Sequence, residues 1–486
     1  MNFWNGLFGR RRFLQTGLGA ALGAVGATRT AMAQAPTAGT TTSGPRPVAG
    51  APGAPHLPVV APDIAKLPYE MREGVKVFKL IAEVIKQEVL PGKVFNLWGY
   101  NGSAPGPMIE VVEGDRVRIE FENRLPEFTT VHWHGLEVPI AMDGVPAISQ
   151  PVVEPGRRFT YEFTLHQHGT FFYHSHGAMQ EMMGMIGLFI IHPKTPYAPL
   201  VQKDYALVLQ EYAILPNNPT PNSLSMEFNF LTFNGKAAPA TTPLLVKLGE
   251  RVRLRLVNIG MDHHPIHLHG VQFEVTGTEA GRIPDRVWYP QNTVLVGVAQ
   301  ARDIEFNAQF PGDWMLHCHL PHHMMNQMVS MVGPMAHAGH GVRTGGGMEE
   351  GMGMIRRGNA LSDDLGPKFG RGMGMAAEER QVSNVLRSSR MLAQGGHAGH
   401  GTPATGQKPR VPGFPQDMMM PMDDAVAKPE THGMAKDWTA ATQGMMTIVR
   451  VLPPGQYDDI VRRVEAARNA PPKPKPAAPA RQDHRH

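Results

Sequence analysis

The chain has 486 residues and a formal net charge of +4, with one cysteine, 23 histidines and 30 methionines. That length leaves room for two or three domains, and the lone Cys318 excludes an internal disulfide framework. Arg10, Arg11, Arg12 and Arg29 lie in residues 1–33, which hold no acid, and account for the whole net charge, so the basic balance implies no nucleic-acid partner.

Arg10-Arg11-Arg12-Phe13-Leu14, a short Gly- and Ala-rich apolar stretch and Ala31-Met32-Ala33 read as a twin-arginine export signal over 1–33. The expected location is the periplasm. The apolar run is too short and too Gly-rich to cross a bilayer comfortably, and no later stretch qualifies, so no stable membrane insertion is expected. Disulfides are common on that side of a membrane. A single cysteine cannot make one internally, which leaves its thiolate free for a metal.

Residues 34–69 are rich in Ala, Pro, Gly and Thr and are expected to form a flexible linker. Over 70–197, short β-branched and aromatic runs alternate with Gly, Pro and Asn turns, an all-β signature. Val117, Ile119 and Phe121, alternating with charged residues, show it well. The pattern then repeats over 198–335. Asn101-Gly102, Gly114-Asp115-Arg116-Val117-Arg118-Ile119 and Asn123 return as Asn234-Gly235, Gly249-Glu250-Arg251-Val252-Arg253-Leu254 and Asn258. Two β-sandwiches of one kind are predicted. Residues 336–443 form a Met-, His- and Gly-rich insertion or tail, expected to be disordered, in which His337-Ala338-Gly339-His340-Gly341 recurs at 397–401. Gly444 to Pro453 resembles Gly184 to Pro193, which closes the first repeat, and is expected to be the last strand of the second domain. A short charged helix and a Pro-rich tail are expected in 454–486.

Four segments carry the chemistry: His132-Trp133-His134, His174-Ser175-His176, His264-Pro265-Ile266-His267-Leu268-His269, and His317-Cys318-His319 running on to His323 and Met328. Side chains alternate faces along a strand, so each His-x-His presents two imidazoles on one side. Four pairs supply eight imidazoles, enough for three metal ions with open positions. Cys318, between two of them, points the other way. A thiolate with two imidazoles and a weak thioether is a blue-copper ligand set, and His264, Cys318, His323 and Met328 provide it. Met324, Met325 and Met445 compete with Met328 for the thioether position. A single His-x-His would equally suit a core pair or a zinc site; four in order, the last enclosing a cysteine, point to copper.

In order and spacing these segments resemble the four copper motifs of multicopper oxidases, over roughly 70–335. The resemblance implies an all-β fold of two cupredoxin-like Greek-key β-sandwich domains with a long C-terminal extension. It implies four coppers per subunit: one type 1, one type 2 and a type 3 pair. Carried over residue by residue, His132 and His267 would hold type 2 copper. His134, His174, His176, His269, His317 and His319 would hold the type 3 pair. Cys318, His264 and His323 would hold type 1, with Met328 axial. Asp143 matches the family's carboxylate beside the type 2 copper, a relay for the protons that O2 reduction consumes; the competing reading is an Asp-Gly turn. Six residues after the cysteine, where some members carry a second acid, stands Met324.

The function expected is a laccase-like oxidase that takes single electrons from phenols or metal ions such as Cu(I) and passes four to O2. The Met-rich tail tilts the donor towards Cu(I) and copper tolerance. A copper nitrite reductase keeps its cysteine in the first domain, where Ser175 stands here. A non-enzymatic copper-binding protein accounts for the tail but not for Cys318 between two histidines. With no middle domain to fold one sandwich back on the other, the two histidine sets are expected to meet between chains, in a homotrimer with clusters at the subunit interfaces.

Overall fold

The computed structural model describes residues 56–215, 218–324 and 422–470. The expected export signal, the linker up to residue 55, Met328, the Met/His-rich stretch up to residue 421 and the tail from 471 lie outside the described residues. The first domain contributes β1 (Tyr69–Arg72), β2 (Val75–Leu90), β3 (Lys93–Tyr100), β4 (Gly106–Val112), β5 (Arg116–Asn123), β6 (Val131–His134), β7 (Arg158–Thr164), β8 (Gly169–Ser175) and β9 (Ile186–His192). The second contributes β10 (Lys203–Tyr212), β11 (Phe230–Phe233), β12 (Leu244–Lys247), β13 (Arg251–Asn258), β14 (His264–Leu268), β15 (Phe273–Thr278) and β16 (Gly281–Arg282). It continues with β17 (Pro290–Gln291), β18 (Thr293–Val296), β19 (Gln300–Asn307), β20 (Gly312–Cys318) and β21 (Met446–Leu452), followed by the helix α1 (Pro454–Asn469).

These strands form four sheets. Sheet 1 runs β1-β2-β5-β7 with β3 on β2, and sheet 2 runs β4-β9-β8-β6. Sheet 3 runs β11-β10-β13-β19-β15-β16 with β17 on β15, and sheet 4 runs β12-β21-β20-β14-β18. The sequence repeat is a repeat of pairing. β2 lies parallel to β5, as β10 does to β13, and β4 lies parallel to β9, as β12 does to β21. The β6-β8-β9 ladder returns as β14-β20-β21. β21 therefore closes the second domain as β9 closes the first, and the long stretch after residue 324 is spliced in ahead of it. Asn101 and Asn234 hold positive φ ahead of Gly102 and Gly235, the tight turns that asparagine and glycine tolerate best.

Burial orders the sheets as layers. Phe78, Ile119, Phe121 and Tyr161 of sheet 1 share a core with Trp133, Tyr173, Phe189 and Ile191 of sheet 2. Phe172, Ile186, Leu188 and Ile190, on the other face of sheet 2, pack on Ala206, Val208, Val257 and Ala301 of sheet 3. Leu207, Leu254 and Ile304, on the far face of sheet 3, meet Ile266, Leu316, Cys318 and Val449 of sheet 4. β9 and β10 are covered on both faces, and so they read as continuous apolar runs, whereas β5, with one face in solvent, alternates.

Two stretches differ from expectation. Residues 56–68 do not trail as a linker: the Val60 N–H donates to the Asp204 carbonyl at 2.9 Å, and the Leu67 N–H to that of Met108 at 2.8 Å. Val59 and Ile64 fill the seam between the domains and Leu67 enters the core of the first, and that burial outweighs the Pro-rich composition. Residues 422–443 are also ordered, as 3-10 turns over Asp423–Val426, Pro429–Thr431 and Trp438–Ala441. They are fixed by Val426 against Leu90 and Ala240, and by Arg450 donating to the carbonyls of Glu430 at 2.7 Å and His432 at 2.9 Å.

Charge ties sheet 2 to sheet 3. Arg255, buried on β13, donates to Asp204 at 2.7 and 2.8 Å and to Thr170 of β8 at 2.8 Å, while the Thr170 hydroxyl donates to Asp303 at 2.7 Å. Burial opposes the Arg255 charge, and Asp204 and Asp303 outweigh it, so its pKa is raised. Replacing Arg255 by methionine leaves buried carboxylates short of a partner, and the expected cost is about 3–5 kcal/mol. Thermal unfolding should register a midpoint lower by roughly 10 °C; a shift of a degree or two would mean the network contributes little.

Candidate metal centres

β6 and β8 set His132 opposite His174 and Trp133 opposite Tyr173. The aromatic pair enters the core between sheets 1 and 2, so the imidazoles take the other face. His132 lies 5.3 to 5.7 Å, ring centre to ring centre, from His134, His174 and His176. His132 Nδ1 donates to the Asp143 carbonyl at 2.6 Å, and His174 Nδ1 to the Ser175 carbonyl at 2.8 Å. Both anchors turn Nε2 towards the quartet, and His174 Nε2 sits 3.2 Å from His134 Nδ1. One donor nitrogen each from His132, His134 and His174 lies within 4.8 Å of the others, close enough to share an ion. Burial and the neighbouring rings push His134 down to about 4, so its lone pair is free at neutral pH.

Asp143 also places a carboxylate oxygen 3.4 Å from His132 Nδ1. Its position depends on Gly144, where φ is +84° and a Cβ would strike the Val131 carbonyl. The Asp-Gly turn and the contact with His132 are therefore one feature.

The second quartet repeats the first. β14 and β20 set His267 opposite His317 and Ile266 opposite Cys318. His267 Nδ1 donates to the Asn292 carbonyl at 2.7 Å, His317 Nδ1 to the Cys318 carbonyl at 2.8 Å, and Nε2 of His269 and His317 approach to 3.0 Å. Ring centres of His267 and His319 are 5.6 Å apart.

Cys318 faces inward, wholly buried beside His264 and His323. Its Sγ lies 3.7 Å from His264 Nδ1 and 3.4 Å from His323 Nδ1, and those two nitrogens are 3.2 Å apart. Burial, with Glu211 and Asp262 nearby, pushes the thiol up to about 12, while burial and the other rings push His323 down to about 3. Two buried imidazoles and a thiol that only a cation would ionise make a donor set fitted to a soft or borderline metal ion. Met328 lies outside the described residues. Met445 is buried in the same apolar cluster as Cys318, and its backbone accepts from the Cys318 N–H at 3.0 Å and donates to the His323 carbonyl at 3.0 Å.

Three carboxylates beside these histidines were not singled out from sequence. Glu181 Oε1 lies 2.7 Å from His174 Nδ1, Glu211 Oε2 lies 3.2 Å from His264 Nε2, and Asp262 Oδ2 lies 3.3 Å from His323 Nε2. Only Glu211 carried a local signal, as an acid in the fully buried second half of β10, after the apolar run Tyr205–Leu209. His263 and His322, the extra histidines, are exposed.

Within one chain the two quartets lie on different layers. The first is on the face of sheet 2 that looks towards sheet 3, at the β6 edge. The second is on the face of sheet 4 that looks away from sheet 3. Among the described residues no ring contact joins them.

Two family models described as Multicopper oxidase match residues 83–196 and 214–334. A copper resistance protein A homolog of Pseudomonas syringae pv. tomato is 40% identical over 113 residues, 23% of this chain and 19% of the relative. Multicopper oxidase mco of Staphylococcus aureus is 32% identical over 231 residues, 44% of this chain and 50% of the relative. The chain thus spans half or less of these curated relatives' lengths. The solved blue copper oxidase of Nitrosomonas europaea is 33% identical, with a TM-score of 0.49, over 52% of this chain and 81% of that one. Both repeats, each with its His-x-His strands, thus fall within matches to one family: the chain belongs to the multicopper oxidases.

Proposed function

We propose that the chain is a copper-dependent oxidase of the laccase type that couples one-electron oxidation of a reducing substrate to reduction of O2 to water. The observation that carries this reading is Cys318, buried between His264 and His323 on one side of β20, with His317 and His319 on the other. Copper bound by these groups would supply one-electron acceptance at the thiolate and four-electron reduction of O2 at the histidines.

The residues divide accordingly. Cys318, His264 and His323 would hold the type 1 copper, with Met328, or Met445 as the alternative, as the thioether donor. His132 and His267 hold type 2; His134, His174, His176, His269, His317 and His319 hold the type 3 pair. That makes four coppers per subunit. The carbonyls of Asp143, Ser175, Asn292 and Cys318 fix the tautomers of their histidines and leave Nε2 free. Asp143 keeps a carboxylate at the type 2 position, where protons are consumed.

The candidate donors are phenols and metal ions such as Cu(I). The names of the copper resistance relatives support a role in copper tolerance, for which Cu(I) is the donor we favour; export to the periplasm is proposed from the paired arginines of residues 1–33 alone. The functional unit is a head-to-tail homotrimer, in which the first quartet of one chain meets the second of the next. Support comes from the layers: sheet 3 stands between the two quartets of a single chain.

Copper-loaded protein is expected to be blue through thiolate-to-copper charge transfer, and Cys318→Ser should lose colour and turnover together. A colourless wild type at full copper occupancy would defeat the assignment. Asp143→Asn should slow O2 reduction roughly a hundredfold, with donor-driven bleaching of the blue band unchanged; equal O2 kinetics would leave Asp143 a turn residue. His132→Ala and His317→Ala chains should each be inactive alone. Co-refolded in equal amounts, they should regain about a quarter of wild-type activity, the share of junctions pairing two intact faces in a ring closed at random. A monomer by light scattering that still reduces O2 would remove the trimer.

A further inference from the structure

We infer that Glu181 is a positioning residue for the first histidine quartet, its carboxylate set against His174 by a buried triad of Thr129, Ser175 and Gln180. The inference rests on the reading of His174 as a type 3 ligand and adds to it the residue that orients and polarises that ligand.

The triad is the first domain's counterpart of His264, Cys318 and His323. Thr129 stands three residues before His132, as His264 stands three before His267. Ser175 lies between His174 and His176, as Cys318 lies between His317 and His319. Gln180 follows Ser175 by five residues, as His323 follows Cys318. The fold gathers both sets in the same way. The hydroxyls of Thr129 and Ser175 are 2.9 Å apart, Ser175 Oγ donates to Gln180 Oε1 at 2.6 Å, and all three residues are buried. Where the second domain offers a cation a thiol and two imidazoles, the first holds hydroxyls and an amide that satisfy one another.

This closed triad fixes the residue that follows it. Gln180 Nε2 donates to the Phe128 carbonyl at 2.9 Å, and the Gly177 N–H donates to Ser175 Oγ at 3.0 Å, which pins the turn leading to Glu181. On the other side Met182 is buried in the core of the second domain, and Gly184, with φ at +109°, ends the turn where a Cβ would strike Ala104. Held from both sides, Glu181 brings Oε1 to 2.7 Å from His174 Nδ1, beside the Ser175 carbonyl that accepts from the same nitrogen at 2.8 Å. Among the described residues Glu181 pairs with no lysine or arginine. A carboxylate against Nδ1 raises the basicity of Nε2 and stabilises the ring when Nε2 holds a cation. In the second domain the matching position, six residues after Cys318, is Met324, and His317 Nδ1 meets the Cys318 carbonyl. The repeats thus divide the work: the second supplies the thiolate, and the first supplies the carboxylate.

The test uses full-length copper-loaded protein and reads the copper retained against a chelator, together with the share of it that is EPR-silent through pairing. Glu181→Gln keeps the shape of the side chain and removes its charge. It should weaken retention of the histidine-bound copper roughly tenfold and turn part of the EPR-silent copper EPR-detectable. The blue band and the unfolding midpoint of metal-free protein should stay at their wild-type values. Glu181→Leu should go further, and Gln180→Leu, which frees the turn, should act in the same direction. Wild-type retention and EPR-silent share in both Glu181 variants would overturn the role of the carboxylate, and in Gln180→Leu that of the triad. A full copper complement in His174→Ala would instead defeat the type 3 reading, so the failures are distinct.

Discussion

The two-residue period of β20 is the constraint on which the rest depends. Cys318 must face inward because His317 and His319 face outward, and a register slip of one residue would exchange them. The strand is held against such a slip by β14 on one side and β21 on the other. Inward, the thiol meets His264 and His323 in an apolar cluster; outward, the imidazoles meet their partners from β14. A single strand thus gives two donor sets of different softness with a short covalent path between them.

Layering decides how complete each set is. The thiolate set closes within one domain, since His264, Cys318 and His323 come from β14, β20 and the turn that follows. The histidine quartets do not close, because sheet 3 is buried on both faces and keeps them apart. Arg255, Asp204, Asp303 and Thr170 lock that arrangement across the seam, where apolar contact alone would permit sliding. The rigidity that splits the quartets within one chain is what an assembly of several chains would need to present matching faces.

Charge is distributed to the same end. In the seam, Arg251, Arg253, Arg255 and Arg282 meet Asp204, Asp303 and Glu305, so buried charges of both signs are compensated. Around Cys318, Glu211 and Asp262 lie beside each other, histidines and backbone N–H groups, and among the described residues neither pairs with a lysine or arginine.

The sequence by itself determined what periodicity and order carry. Alternation in β5, unbroken apolar runs in β9 and β10, and the paired Asn-Gly turns mark the strands. The order of the four His-x-His segments, with Cys318 inside the last, marks the histidines that the structure then gathers into two quartets and a buried triad. Composition misled at 56–68 and 422–443, where Pro- and Gly-containing segments are held by a few apolar side chains and by Arg450. The tertiary structure alone decided the contacts made across long sequence separations. Glu211, Asp262 and Glu181 follow no motif, and their proximity to His264, His323 and His174 arises only from strand order and loop path. It also decided that the quartets lie on different layers: a sequence shows which residues share a strand face, and only packing shows what stands between two faces.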